Sequence, residues 1–344
     1  MTAPRNPDAP LPRVPAIEIP EVGAPEVLRL GARDLPPVPR GHVRVEVAAS
    51  GVNRADLMQR LGRYPSLEGF PDRWPGLEVA GQVVAVGEGC TLRRPGDRVM
   101  AVVGGGGHAR HAQLPERDTI RVPDGLGWEA AGSIPEVFLT AWDALEKRGE
   151  LGAGETLLVH AVGSGVGTAA LQLGRHLGAR VIGTSRTPEK LEEAARLGLE
   201  EGVMSRDRDW ASEVLERTGG RGVDVILDLV GGDWAPGNLK VLAPRARWIV
   251  VGIPGGREAP LDLRQLMGRR ARIEGTVLRA RPPEEKTALA REFEDRFLDA
   301  FDQGFLRGVP GLVVPPEDVA EAHRRMEANE TWGKTLVRWS GPDG

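Results

Sequence analysis

The 344 residues contain a single cysteine, Cys90, which excludes an intrachain disulfide framework and every multi-cysteine metal lobe. Packing is its expected role. Aromatic residues make up only 4% of the chain, and tyrosine occurs once, at Tyr64. Lysine is scarce as well, with 5 lysines against 40 arginines, so the position of each lysine is informative. Neither charge sign dominates: 45 basic residues face 49 acidic ones for a net charge of -4, and the basic residues are scattered. That balance leaves no electrostatic footprint for nucleic acid or for an anionic membrane. No apolar run approaches the length of a membrane span. The first twenty residues, MTAPRNPDAPLPRVPAIEIP, are proline-rich without the apolar centre of a signal segment. A cytoplasmic protein is expected.

What the sequence does contain is concentrated between Thr156 and Gly178, TLLVHAVGSGVGTAALQLGRHLG. Leu157, Leu158 and Val159 form a continuous apolar run, as a parallel strand covered on both faces requires. Gly163, Ser164, Gly165, Val166 and Gly167 follow as a turn that lets backbone approach a pyrophosphate. The helix beginning near Gly167 aims its unpaired N–H groups at that anion. A strict G-x-G-x-x-G would need glycine where Thr168 stands, so the turn read alone is structural or functional. A second strand, ARVIGT, ends at Thr184, and Thr187 and Pro188 open the next helix, completing a β-α-β unit. An NAD site would place a carboxylate at that strand end. Here Thr184, Ser185, Arg186 and Lys190 stand instead, so the expected coenzyme is NADPH. For Arg186 the alternative is an ordinary solvated loop charge; Lys190, one of only five lysines, is an unusual choice for this chain and points more firmly to a phosphate.

The length fits two domains. From Ala16 to about Pro123 short β-like runs such as HVRVEVAAS and GQVVAVG alternate with turns. Helical periodicity begins near Glu129 and runs to Lys147, and strands alternate with helices to about Glu274. VDVILDLVGG and RWIVVGIPGG end in glycine pairs at the carboxyl edge of the expected sheet, where Gly231 and Gly252 could border a ligand. The tail predicts a helix from Pro283 to Gln303, the strand GLVVP, a helix from Glu317 to Ala328, and the strand KTLVRW. Its β content suggests a return to the first domain. The apolar strand WIVVGI is expected near the sheet edge, which motivates a homodimer.

The ordered motifs ASGVNRADLMQRLGRYP, PGLEVAG, AGSIPEVFLTAWDAL, HAVGSGVGTAALQLGR, LDLVGG, GTVLRAR and MEANETWGKTLV resemble the medium-chain dehydrogenase/reductase superfamily. Within it the chain is similar to the zinc-independent, zeta-crystallin-like NAD(P)H quinone oxidoreductases, especially their tumour-suppressor-inducible branch. The proline-rich residues 1–13 are expected to form a disordered extension, and the resemblance implies an α/β chain after it. It further implies a mostly β, GroES-like catalytic domain over 14–134 and 277–344, and a Rossmann doubly wound parallel sheet over 135–276. Zinc-dependent relatives carry a Cys ligand at the position of Asn53 and a His-Glu pair at Leu77-Glu78, so no metal site is expected. His108 and His111, three apart, would point to opposite faces of a strand and are read as surface or wall histidines.

By the same resemblance Asn53 lies beside the nicotinamide, or simply forms a turn, and Tyr64 lines the acceptor pocket as proton donor or as wall aromatic. Thr140 and Leu278 would contact the nicotinamide end, or else simply pack a helix and a strand, and Lys334 would reach the 2'-phosphate. The family's tyrosine beside that phosphate is replaced by Ser205, with Arg206 or Arg208 as substitutes, which keeps NADH use open. The leading expectation is NADPH-dependent reduction of a quinone in the interdomain cleft. Reduction of an enoyl or enone double bond is the alternative, and a cofactor-binding structural or RNA-binding protein is the alternative of another class.

Overall fold

The alternating run HVRVEVAAS, prolonged to Val52, becomes the central strand of the first of two large sheets in the computed structural model, which describes residues 11–65, 70, 73–206 and 209–340. In chain order the strands are β1 (Arg13–Glu18), β2 (Arg29–Asp34), β3 (His42–Val52), β4 (Glu78–Val86), β5 (Arg98–Val102), β6 (His111–Pro115) and β7 (Ile120–Arg121). There follow β8 (Thr156–Val159), β9 (Arg180–Ser185), β10 (Glu201–Met204), β11 (Val223–Asp228), β12 (Leu242–Val250), β13 (Arg272–Gly275), β14 (Pro310–Val314) and β15 (Lys334–Arg338). The α-helices are α1 (Arg54–Arg60), α2 (Trp128–Gly132), α3 (Pro135–Trp142), α4 (Gly165–His176), α5 (Pro188–Arg196), α6 (Trp210–Arg217), α7 (Ala235–Val241), α8 (Leu263–Arg269), α9 (Pro283–Asp302) and α10 (Val319–Glu327).

The first sheet runs β14-β15-β3-β4-β5-β7, with β6 paired to β3, and is antiparallel except for β14 with β15. Tail strand β15 therefore lies directly on β3, with Thr335 opposite Val52. The second sheet is wholly parallel in the order β10-β9-β8-β11-β12-β13. That order reverses direction beside β8, so the glycine turn after β8 sits at the switch point where doubly wound sheets bind ligands. This is the α/β architecture of two sheets that the motifs predict.

Three expectations change in detail. Of the extension expected at 1–13, residues 1–10 lie outside the described residues, while Pro12 accepts from the Leu35 N–H at 2.8 Å and Arg13 already pairs with Asp34. The helix expected over Glu129 to Lys147 is broken at Ser133 and Ile134, because Pro135 opens a new one. The strand containing WIVV is not at the edge, since β12 pairs with both β11 and β13. The edge belongs to β13, and Ile253, Leu263, Met267 and Val277 are exposed in the segments on either side of it in sequence.

The two sheets are joined by an apolar cluster rather than by a linker alone. Phe138 and Trp142 on α3 meet Phe293, Phe297 and Phe301 on α9, with Phe138 5.0 Å from Phe301 and Trp142 5.6 Å from Phe297, both edge-on. Aromatic pairs of this kind favour edge-to-face contact. They fix α3, which lines the site below.

Candidate functional site

The glycine turn is tight for identifiable steric reasons. A Cβ on Gly167 would stand 2.4 Å from the Ala161 carbonyl oxygen, so only glycine lets α4 approach the end of β8 this closely. Helix α4 begins at Gly165, two residues before the sequence suggested, because Ser164 is its N-cap and accepts from the Gly167 N–H at 3.1 Å. Thr168, in place of the last motif glycine, is buried and donates to the Gly165 carbonyl at 2.9 Å. Close helix–strand packing has simply moved to Gly167. A Cβ on Gly163 would meet the Lys190 stem at 3.0 Å, and one on Gly165 would meet Val137 of α3 at 2.9 Å. With Val166 on the first turn of α4, these residues form a cradle whose N–H groups suit an anion.

At the end of β9 no carboxylate follows, as the sequence shows. Thr184, however, is fully buried with its hydroxyl 3.1 Å from His160 Nδ1, in a network that continues through Asn238 (2.7 Å) to Asp228 (3.0 Å). The Thr184 side chain belongs to the sheet interior and not to a phosphate. The Ser185 hydroxyl is likewise engaged: it accepts from the Thr187 N–H at 3.2 Å and donates to the Thr187 carbonyl at 3.1 Å. Arg186 is exposed. The Lys190 ammonium donates to the Asn329 carbonyl at 2.6 Å, and burial, then the charges of Arg186 and Arg54, depress its pKa. Arg54 donates to the Asn329 side-chain oxygen. Arg208 lies outside the described residues, and Ser205 donates its N–H to Ser185. Gly252 packs on β11, where a Cβ would be 3.0 Å from the Leu229 oxygen.

In the other half of the chain, Asn53 is the N-cap of α1. Its N–H donates to Asp56 at 2.7 Å, its amide nitrogen donates to Glu78 at 2.9 Å, and its amide oxygen accepts from the Lys334 ammonium at 2.5 Å. Lys334 also pairs with Glu78 at 2.5 Å, both buried. Lys334 therefore does not join Lys190, as the resemblance implied for a shared phosphate contact; its charge is matched by Glu78. A zinc ion does not fit here, because the ammonium of Lys334 already occupies the position between the Asn53 amide and the Glu78 carboxylate. Among the described residues no group of three or more His, Cys, Asp or Glu side chains is placed to hold a metal ion.

The second Glu78 oxygen accepts the backbone N–H of Glu136 at 2.9 Å, tying β4 to the start of α3. The Glu136 carboxyl itself makes no hydrogen bond or ion pair among the described residues. Burial and the neighbouring charges of Glu78 and Asp56, opposed by Lys334 and Lys286, push its pKa up to about 8. Asp56, fully buried, is pushed up to about 6 by burial against two backbone N–H donors. Half-buried Tyr64 has the Arg279 guanidinium 4.1 Å from its ring centroid. Burial raises its pKa, Arg279 opposes this, and Glu136 and Asp56 add to it. Thr140 is buried one turn along α3 from Glu136, and Leu278 is buried in the apolar cluster with its carbonyl accepting from the Arg281 N–H.

His108 is a wall residue and no surface group: it is buried 2.8 Å from the Ser50 hydroxyl, and burial pushes its pKa down to about 3, leaving it neutral. Cys90 is partly buried, its thiol 3.2 Å from the His42 carbonyl, in keeping with packing. Sequence reasoning missed Glu136, Arg54 and Arg279. A glutamate after a helix-opening proline, or one arginine among 40, carries no local signal that distinguishes it.

Two family models match the chain: "Alcohol dehydrogenase GroES-like domain" over residues 39–141 and "Zinc-binding dehydrogenase" over residues 165–295. Among curated proteins, phthioceranic/hydroxyphthioceranic acid synthase of Mycobacterium tuberculosis is 37% identical over 198 residues, 58% of this chain and 9% of that protein. Erythronolide synthase EryA2 of Saccharopolyspora erythraea is 40% identical over 199 residues, 57% of this chain and 5% of that protein. The chain thus spans less than a tenth of the length of either. Among solved structures, the CurK enoyl reductase superposes with a TM-score of 0.84 at 26% identity, covering 94% of this chain and 98% of that one. A Pseudomonas syringae quinone oxidoreductase gives 0.84 at 30% identity, covering 95% and 100%. Mycobacterial Rv1454c, solved with NADPH, gives 0.84 at 31% identity, covering 94% and 100%. With the split sheets, the switch-point glycine turn and full-length likeness at 30% identity and above, the chain belongs to the medium-chain dehydrogenase/reductase superfamily of oxidoreductases.

Proposed function

We propose that this chain reduces a carbon–carbon double bond conjugated to a carbonyl, as in an enone or enoyl thioester, with NADPH as the reductant and without zinc. The observation that carries this reading is Glu136. Saturating such a bond needs a hydride at the β-carbon and a proton at the α-carbon, and transfer to carbon gains from a positioned acid. The oxygens of a reduced quinone exchange protons with water and need no such group. A carboxyl pushed up to about 8 still holds its proton at neutral pH, and Glu136 has no competing partner among the described residues.

The nicotinamide, when bound, supplies the hydride. The chain's own part is to hold and orient. The glycine turn offers amides to the pyrophosphate, and Val137 narrows the cradle beside Gly165. The buried Lys334–Glu78 pair fixes the Asn53 amide at the head of α1. Arg279 holds the Tyr64 ring, whose hydroxyl stays protonated and can donate to the substrate carbonyl. NADPH is favoured over NADH by the missing carboxylate after β9 and by the cations around Asn329.

The likeness to the CurK enoyl reductase supports the double-bond reading. Quinone reduction is the second reading, favoured by the full-length likeness to a quinone oxidoreductase. A role in binding RNA is disfavoured by the net charge of -4. The expected homodimer would use the β13 edge in place of the interior β12.

The deciding assay follows NADPH oxidation with a crotonyl thioester, a simple enone, a benzoquinone and a naphthoquinone side by side. The expected kcat/KM for the double-bond acceptors exceeds that for either quinone by about tenfold or more, about 1.4 kcal/mol of transition-state discrimination. The reverse order transfers the assignment to quinone reduction.

A further inference from the structure

The phosphate end of the cleft is built from both halves of the chain. Lys190 comes from α5 behind the parallel sheet, whereas Arg54 is the first residue of α1, next to Asn53 in the other half. We propose that Arg54 is a ligand of the coenzyme's 2'-phosphate, acting with Lys190 and Arg186, and so a determinant of NADPH specificity supplied from across the cleft. This inference rests on the NADPH reading above.

The two cations converge on one residue. The backbone carbonyl of Asn329 accepts from Lys190 at 2.6 Å, and its side-chain oxygen accepts from Arg54. Two adjacent acceptor oxygens held by an ammonium and a guanidinium are the arrangement a phosphate would present. Asn329 satisfies the hydrogen bonds but not the charge. Arg186 stands close enough that its charge acts on both Lys190 and Arg54.

Glu327, whose charge reaches Arg54, is already committed, since it pairs with buried Arg60. Glu330, next to Asn329, pairs with Arg325 at 3.8 Å. Arg54, Arg186 and Lys190 thus make no ion pair among the described residues, although partial burial acts against the charge of Lys190. A group of three like charges is self-repelling, and a dianion relieves it. The capping of α1, with the Asn53 N–H on Asp56, holds Arg54 at the helix start where it faces Asn329. Because Arg54 and Lys190 belong to different halves, the phosphate would also tie the halves together, which NADH cannot do.

The test is calorimetric binding of 2',5'-ADP and of 5'-AMP to the whole protein, compared with Arg54→Gln and Lys190→Gln, with thermal midpoints as the check on folding. Arg54→Gln is expected to weaken 2',5'-ADP by about tenfold, the loss of one charge-assisted contact, while leaving 5'-AMP unchanged. Arg54→Lys should recover part of the loss. If Arg54→Gln binds 2',5'-ADP as wild type does while Lys190→Gln does not, the assignment of Arg54 is overturned and the NADPH reading stands. If wild type itself binds 2',5'-ADP no better than 5'-AMP, both are overturned.

Discussion

Lys334 and Lys190, two of the five lysines, are treated in opposite ways by the fold around them. Lys334 is buried against Glu78 and Asn53, with contacts of 2.5 Å to each, so its charge is matched inside the protein. Lys190 is given only the Asn329 carbonyl, and its charged neighbours, Arg186 and Arg54, carry the same sign. A paired charge holds structure, and an unpaired one is available to a ligand. The same contrast separates the carboxylates. Glu78 has Lys334 and two N–H donors, counting the amide of Asn53, whereas Glu136 has no partner among the described residues, and burial and acidic neighbours push its pKa up to about 8.

The two lysines should differ most when the matched one is removed. Lys334→Met leaves Glu78 buried without its cation, and chemical denaturation should show a loss of about 3–5 kcal/mol. A loss below about 1 kcal/mol would mean the pair is not the keystone of this end of the cleft. Lys190, removed in the same way, has no buried anion to abandon.

Glu136→Gln sharpens the carboxylate half. Turnover of an enone should fall by about a hundredfold, the usual contribution of a general acid, with a much smaller loss for a benzoquinone. In wild type the enone rate should decline as pH rises through about 8, and this limb should vanish in the variant. Stability gives a second readout. With a folded pKa of about 8 above the ordinary 4.5, the folded protein retains a proton that the unfolded chain has released between those values. Stability conferred by Glu136 is therefore fully present below about pH 4.5 and is lost as pH rises toward about 8. Glu136→Gln should flatten that decline, and parallel pH–stability curves for the two proteins would remove the assigned proton.

Much of the scaffold was legible because it is written in local patterns. The apolar run of β8, the glycines of the turn and the absence of a carboxylate after β9 are properties of adjacent residues, and each has a structural counterpart. The partners of long side chains were not legible in this way. Lys334 could reach a phosphate or a carboxylate with equal ease, and only the pairing of β15 with β3 brings it to Glu78. Thr184 looked like a pocket hydroxyl at a strand end, but His160 turns it inward. The interior place of β12 depends on one further short strand, RIEG, whose mixed polarity hid it.

Isotopic labelling shows directly where each hydrogen arrives. With NADPH deuterated on the transferred position of C4, an enone and ordinary water, the saturated product should carry one deuterium at the β-carbon and none at the α-carbon. In deuterated water with unlabelled NADPH the pattern should invert. An enone recovered unreduced while a quinone consumes the same NADPH would contradict the account.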